Sequence, residues 1–496
     1  MATRNQIDVS ALESLGARRL AELLQATTAH DAVAKNWLRL EIAAAEGPKA
    51  AASEIRKRLT AIGRAKKWVP RSQAAILAED LEFQREAIQG HVAERDASLA
   101  LELLWRFMAL AERVFDRCDD SDGLVGDVFR SGLLDLGRAA AEARPDPVKL
   151  ADRTFKALWR NGFGQYDGLI GHLASGLSES GLEHLRLKVL AFRDGGAAAA
   201  QGEARDNVVA GPWVESRERR DEFDELPVLL EYAIPRALKD IADAQGDVDA
   251  FMDQYGERER RIPAFAAEIG IRLLDANRPE EALQVLDDAG AEREDAHPGL
   301  YREWRDVRIE VLERLGRGQE AQVARWAIFE QELDQDYLRA HLERLDDSET
   351  DEAAERALDH AAGYADVHAA LRFLLDWPDL PRAADLVVQR ASELHGDFYR
   401  LLNAAATSLE AEHPLAATLA LRAMIDFTLG SARSTRYRHA ARQLLACASL
   451  AETIDDYRDF DDHDTYFQEI REHDARKKKF WATLGKAMGL AGPFRP

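Results

Sequence analysis

Apolar residues along this 496-residue chain recur at intervals of three and four, with charged and polar positions between them. That spacing follows the 3.6-residue turn of an α-helix and puts the apolar side chains on one face, whereas a half-buried strand alternates every second residue. From Leu99 to Phe115 the positions Leu99, Leu103, Phe107, Leu110, Val114 and Phe115 make one stripe. Leu12, Leu15, Leu20, Leu23 and Leu24 make another near the start. Period-two runs rich in Val, Ile and Thr are missing, so the pattern predicts an all-α protein.

Breaks fall where helices should end. Pro48 after Gly47 suits the first turn of a helix running toward Ala65, because the missing N–H of proline is unpaired there in any case. Asp119-Asp120-Ser121-Asp122-Gly123 should close the helix begun near Leu99, and Arg144-Pro145-Asp146-Pro147 should separate two more. About eight helices are expected between Asp8 and Arg193. The run Gly195-Gly196-Ala197-Ala198-Ala199-Ala200-Gln201-Gly202 offers little to bury and reads as a mobile connection. The expected organisation is an N-terminal helical domain over 1–193, a linker or loop over 194–220, and a helical repeat domain over 221–490.

A short phrase recurs in the second half. Pro279-Glu280-Glu281-Ala282, Gly318-Gln319-Glu320-Ala321, Thr350-Asp351-Glu352-Ala353, Pro381-Arg382-Ala383-Ala384 and Pro414-Leu415-Ala416-Ala417 follow one another at a mean step of about 34 residues. A turn residue would open the second helix of a pair, and the small alanine would let that helix press on the first. Ile269-Gly270-x-x-Leu273 followed by Ala282-x-x-x-Leu286 resembles the tetratricopeptide pattern, with Ala266 where that family has Trp and Glu294 where it closes on Pro. The resemblance implies an α-solenoid in which Gly270, Ala282, Leu286, Ala384 and Ala417 are packing positions. The copy at Ala321 departs from it, since Arg325 stands where a large apolar residue belongs. Ordinary antiparallel helix pairs with similar turns remain the alternative.

Charge narrows the function. With 66 basic against 89 acidic residues the formal charge is −23, which disfavours nucleic acid, whose binding needs cations to displace counterions from phosphates. Anionic membranes are disfavoured for the same reason. No apolar run of about 18 residues is present to span a bilayer, and Met1-Ala2-Thr3-Arg4-Asn5-Gln6 does not open a secretory signal. Cys118 and Cys447 lie in different halves and make neither a disulfide framework nor a cysteine-rich zinc site. A cytoplasmic protein is expected; abundant Ala and Arg with sparse Lys fit a GC-rich bacterial genome.

Leu103-Leu104-Trp105-Arg106-Phe107, Asp119-Asp120-Ser121, Gly126-Asp127-Val128-Phe129 and Gly164-Gln165-Tyr166-Asp167-Gly168 together resemble a bacterial family known as a domain of unknown function. The ending, with His413-Pro414-Leu415-Ala416, Tyr437-Arg438-His439-Ala440-Ala441 and Arg476-Lys477-Lys478-Lys479-Phe480-Trp481, is similar to the helical C-terminal region of bacterial SWIM zinc-finger proteins. The zinc module of those proteins needs paired cysteines and a Cys-x-His, which two distant cysteines do not supply. Its nucleic-acid role is therefore not carried over.

Few residues suggest chemistry. Cys118–Gly123 imitates a calcium loop, but its twelfth position would be Phe129 rather than Glu, so an Asx-rich turn is expected. Asn161–Gly168, with three glycines, is a candidate ligand-contact loop through Phe163, Gln165, Tyr166 and Asp167. Its plainer reading is a tight connection with Phe163 and Tyr166 packed inward. Trp105 and Phe107 read as core and Arg106 as a cation whose stem lies along apolar surface. The histidines are expected at surfaces and turns, with His439 beside Tyr437 a candidate for a core hydrogen-bond network; His360 and His368 lack a third ligand nearby. The basic run Arg476, Lys477, Lys478 and Lys479 is expected in a final capping helix, its cations paired with the acids of Asp455–Asp464 or complementing a helix end dipole, with phosphate or nucleic-acid contact as the sharper alternative. Nucleophile-elbow, P-loop and kinase signatures are absent, and no catalytic, metal or cofactor residue is assigned. The expectation is a non-catalytic scaffold or adaptor that holds a protein or peptide partner in a groove lined by the first helices of the pairs. The alternatives are a nucleic-acid-associated relative of the SWIM proteins, or an enzyme of unrecognised type using Tyr166 and Asp167.

Overall fold

The computed structural model describes residues 12–28, 32–199, 232–290, 301–431 and 433–488. All regular structure among them is helical, as the apolar period requires. One isolated bridge is the exception: Val69 N–H donates to Arg117 O at 2.8 Å, and Asp119 N–H donates to Val69 O at 3.0 Å. Packing separates two compact units, Met1–Asn277 and Arg278–Pro496.

In the first unit the helices are α1 (Ala17–Thr28), α2 (Ala32–Glu46), α3 (Pro48–Arg64), α4 (Arg71–Ala87), α5 (Ala97–Met108), α6 (Ala111–Phe115), α7 (Leu124–Ala143), α8 (Pro147–Leu158) and α9 (Leu169–Ala199). Aspartates fix several starts. Asp96 accepts from Leu99 N–H and Asp146 from Lys149 N–H, both at 2.9 Å, so each satisfies a donor that the first turn leaves free. The acid-rich turn does the same for α7, where the Asp120 carboxylate takes Val125 N–H at 2.9 Å and Gly126 N–H at 2.8 Å. The stripe read as one helix from Leu99 to Cys118 is two, broken at Ala109-Leu110, yet Leu103, Phe107, Leu110 and Val114 all reach the core. Trp105 is buried and Arg106 exposed. Helices α7 and α9 cross closely because Gly137 has no side chain: a Cβ there would sit 2.5 Å from His172 O.

The glycine-alanine run does not interrupt helix α9, which continues through Gly195-Gly196 to Ala199. The rest of the predicted linker lies outside the described residues. Beyond it, α10 (Ile234–Gln245) packs back on α9, and its Ile234, Ala237, Leu238 and Ile241 join the first core. The short helices α11 (Val248–Met252) and α12 (Glu257–Arg260) and the longer α13 (Pro263–Asp275) complete this unit. A low-complexity run shows where apolar signal stops, not which core the chain rejoins.

The second unit holds α14 (Pro279–Gly290), α15 (Arg302–Arg314), α16 (Gly318–Glu332), α17 (Gln335–Leu342), α18 (Asp347–Ala362), α19 (Val367–Asp376), α20 (Leu380–Gln389), α21 (Tyr399–Leu409), α22 (Pro414–Gly430), α23 (Tyr437–Ala451), α24 (His463–Asp474) and α25 (Lys478–Ala487). From α14 to α24 each helix packs on the next in chain order; α25 returns to α23. In addition α16 packs on α18, α18 on α20, α20 on α22, and α19 on α21. This order of neighbours, next and next-but-one, is that of an α-solenoid. The recurring phrases open or lie near the starts of α14, α16, α18, α20 and α22. Their alanines, Ala282, Ala321, Ala353, Ala384 and Ala417, are buried, as is Leu286. Gly270 is buried too, but in α13, so the clearest phrase straddles the two units.

Arg325 does not leave a gap. Its side chain is only 5% exposed and is paired with Glu313 at 2.5 Å, while Glu313 also holds Arg344 at 2.8 Å. Burial alone would raise the Glu313 pKa, but the two guanidinium groups hold it below the usual range. Arg325→Leu is expected to change stability by less than about 1 kcal/mol, because an apolar residue refills the site and Glu313 keeps Arg344. Urea unfolding at pH 7 checks this.

Candidate functional site

The second unit contains a groove of about 590 Å³. Helix α15 lines it with Arg302, Asp306, Ile309, Glu310, Glu313 and Arg314. Helix α17 adds Asp336, Tyr337 and Ala340, and α16 contributes the buried Arg325. The lining thus comes mainly from the first helices of two successive pairs. Stacking brings these side chains together: α15 and α17 both pack on α16, whose Ala321 is fully buried.

The groove's polar groups are fixed by one another. Arg302 pairs with Asp334 at 2.7 Å and Asp336 at 3.1 Å, and its guanidinium lies 5.5 Å from the Tyr337 ring centroid. The Tyr337 hydroxyl donates to Asp306 at 2.5 Å; burial and then this carboxylate raise its pKa, so the phenol stays protonated. Glu310, whose side chain is 56% exposed, meets Arg314 at 3.7 Å, an outer pair that solvent screens. Residues 278–400 carry twice as many acidic as basic side chains, whereas 401–496 are balanced. The groove therefore lies in the acidic part of the unit.

The loop at 161–168 is built differently. The Asn161 amide donates to Asp167 at 2.7 Å and its carbonyl accepts from Tyr166 N–H at 2.7 Å. Gln165 is buried, accepting from Phe163 N–H at 3.1 Å and donating to Arg160 O. Left-handed Gly164 and Gly168 permit the tight path. Tyr166 packs inward near Trp105, with ring centroids 6.3 Å apart, and burial pushes its hydroxyl up to about 12. Phe163 does not pack inward as its aromatic character suggests. It is 47% exposed and stacks on Phe115 at the surface. Of the four candidate residues, Gln165 and Tyr166 are buried in the connection, leaving Phe163 and Asp167 as the outward ones.

Arg236 of α10 reaches Asp167 at 3.4 Å. One turn further, burial raises Asp240 to about 6, with Arg236 opposing the rise and Asp243 adding to it. The folded protein therefore binds this proton more tightly than the unfolded chain, and stability drops as pH rises toward about 6. Asp240→Asn is expected to stabilise the protein at pH 7 by roughly 1–2 kcal/mol and to flatten the decline between about pH 4 and pH 6. Urea midpoints across that range test it.

The basic run is at the turn into α25. Phe480 and Trp481 are buried, and Arg476, Lys478 and Lys479 are exposed. Lys477 donates to Asp474, at the end of α24, and to Leu429 O in the last turn of α22. Its partners are thus a neighbouring acid and a helix C-terminus, where a cation is favoured, rather than Asp455–Asp464. His439 is exposed and outside any core network. Among the described residues the buried histidines are His341, against Trp326, and His368, stacked on Phe398 with centroids 4.1 Å apart. Among the described residues no group of three or more His, Cys, Asp and Glu gathers as metal ligands would, and no helix is long and apolar enough to cross a membrane.

Sequence reasoning missed the groove. The one signal available was that Arg302, Asp306, Glu310 and Glu313 repeat at three and four residues, which reads equally as a solvated helix face.

Among solved structures the chain is similar to a circular tandem repeat protein with novel repeat topology and enhanced subunit contact surfaces. They share 14% identity over 96% of each chain, with a TM-score of 0.17, too low to bear on the fold. No curated protein matches the chain. A family profile matches residues 2–483, nearly the whole length, so the chain belongs to the family of unknown function DUF6880.

Proposed function

We propose that the protein is a non-catalytic scaffold or adaptor whose second unit captures a protein or peptide partner. The observation that carries this reading is the groove on α15 and α17, lined by side chains of those two helices and by Arg325 of α16, on which both pack. Recurrence of the alanine phrase near 34 residues supports a tetratricopeptide-like reading of the same array. Such arrays take extended peptides or helices along the face made by successive repeats. The partner favoured by charge carries Arg or Lys side chains, since residues 278–400, the stretch that holds the groove, carry twice as many acidic as basic side chains. Because the internal pairs already fix Arg302 and Arg325, a ligand would find a preformed surface and lose little entropy in ordering it.

Affinity purification under native conditions, followed by titration of the recovered partner, tests this. The wild-type protein should retain a stoichiometric partner, and Glu310→Lys should weaken it by about tenfold, as reversing one exposed charge at a complementary interface does. Absence of a stoichiometric partner, or an affinity that Glu310→Lys leaves unchanged, contradicts the reading.

A further inference from the structure

In its last helices the second unit buries a cation that makes no ion pair among the described residues. Arg422 of α22 is 6% exposed. Its Nη1 donates to the main-chain oxygen of Asp461 at 2.7 Å, and its guanidinium lies 4.3 Å from the Tyr466 ring centroid and 5.8 Å from that of Tyr457. Nε and Nη2 have no partner, and among the described residues no carboxylate pairs with this side chain. Asp426, one turn along, is instead engaged by the Tyr466 hydroxyl at 2.7 Å. Burying a guanidinium with idle donors is unfavourable unless something accepts from them.

The idle atoms are not a random pair. Nε and Nη2 share one edge of the guanidinium plane, the edge that meets two oxygens of a carboxylate or phosphate at once. Other unpartnered buried atoms lie on the elements around it: the Thr418 hydroxyl, one turn earlier on α22, the Tyr457 hydroxyl, and Nδ1 of His463 at the start of α24. Each can donate. Cys447 closes the apolar side, its Sγ 4.0 Å from Thr418 O. Two carboxylates that feel Arg422, Asp426 and Asp462, are the charges an anion would have to oppose here. The connection between α23 and α24 carries Tyr457 and is otherwise largely exposed, with Asp455, Asp456, Asp459, Asp461 and Asp462 along it.

We propose that Arg422, Thr418, Tyr457 and His463 form a binding site for one small oxyanion, a carboxylate or a phosphate. The site stands apart from the groove and does not depend on the partner-binding reading.

Isothermal titration of the full-length protein with inorganic phosphate, and separately with acetate, at constant ionic strength tests it. Saturable binding of one equivalent is expected for at least one of them, and the one that binds tells phosphate from carboxylate. Arg422→Gln should abolish it. Because that variant risks misfolding, Tyr457→Phe is the second arm: it removes one buried hydroxyl and should weaken binding by about threefold to tenfold. Absence of saturable heat for both anions overturns the proposal, as does binding that Tyr457→Phe leaves unchanged, which marks an adventitious ion only.

Discussion

Gly396→Ala is expected to destabilise the second unit by about 3 kcal/mol, the upper part of the range for overpacking a core. Gly396 is buried in the connection between α20 and α21, where the chain lies directly on α22. A Cβ added there would stand 2.1 Å from Ala423 O, 2.6 Å from Phe427 Cβ and 2.8 Å from Ala423 C. Two of those atoms are helix backbone, which cannot move aside without breaking the α22 ladder. Either the connection lifts, separating His395 from Phe427, whose rings are 4.7 Å apart, or α22 shifts and the stacking of α20 on it loosens. Gly430→Ala is the control, because its Cβ would meet nothing within 4 Å. Urea midpoints should fall sharply for the first variant and stay level or rise for the second. Equal midpoints would mean that the connection does not lie on α22.

The second large effect is in the first unit. Asp135 of α7 is completely buried between Arg85 at 2.5 Å and Arg138 at 2.5 Å. Removing one partner of a buried pair strands the other, and Asp135→Ala is expected to cost about 3 kcal/mol, the lower end of that class because Glu82 still holds Arg85. The cost is largely a desolvated charge left unpaired, not the net worth of the bridge. Replacing both sides, Arg85→Met with Asp135→Leu, should therefore recover most of the loss, and a double-mutant cycle would show strong coupling. Additive losses would mean that the bridge is not what holds α4 to α7.

The helical period placed Leu103, Phe107 and Val114 in the core although it missed the break at Ala109, because a stripe marks one face and does not register a one-residue change of direction. The alanine phrase located the starts of successive second helices, because a small residue at a close crossing leaves a local trace. Arg325 looked like a defect in that phrase. What makes it acceptable is Glu313, on the preceding helix, and Arg344, beyond the following one, and no local pattern announces a pairing across three helices. Phe163 and His439 show the opposite error: residue type suggested burial, but Phe163 stacks on Phe115 with nearly half of it exposed, and His439 lies on the exposed side of α23. The groove was invisible for the same reason as the Arg422 cluster. Both depend on which helices become neighbours, and their charged residues look like solvated faces when read one helix at a time.

The most direct test of the central claim, that α15 and α17 form the partner-binding surface, is amide hydrogen exchange on the protein with its purified partner bound. Exchange is expected to slow over 302–314 and 335–342 while 161–168 and 476–487 remain unchanged. Protection at the Asn161–Gly168 loop or the Arg476–Lys479 run, with none over α15 and α17, would contradict it.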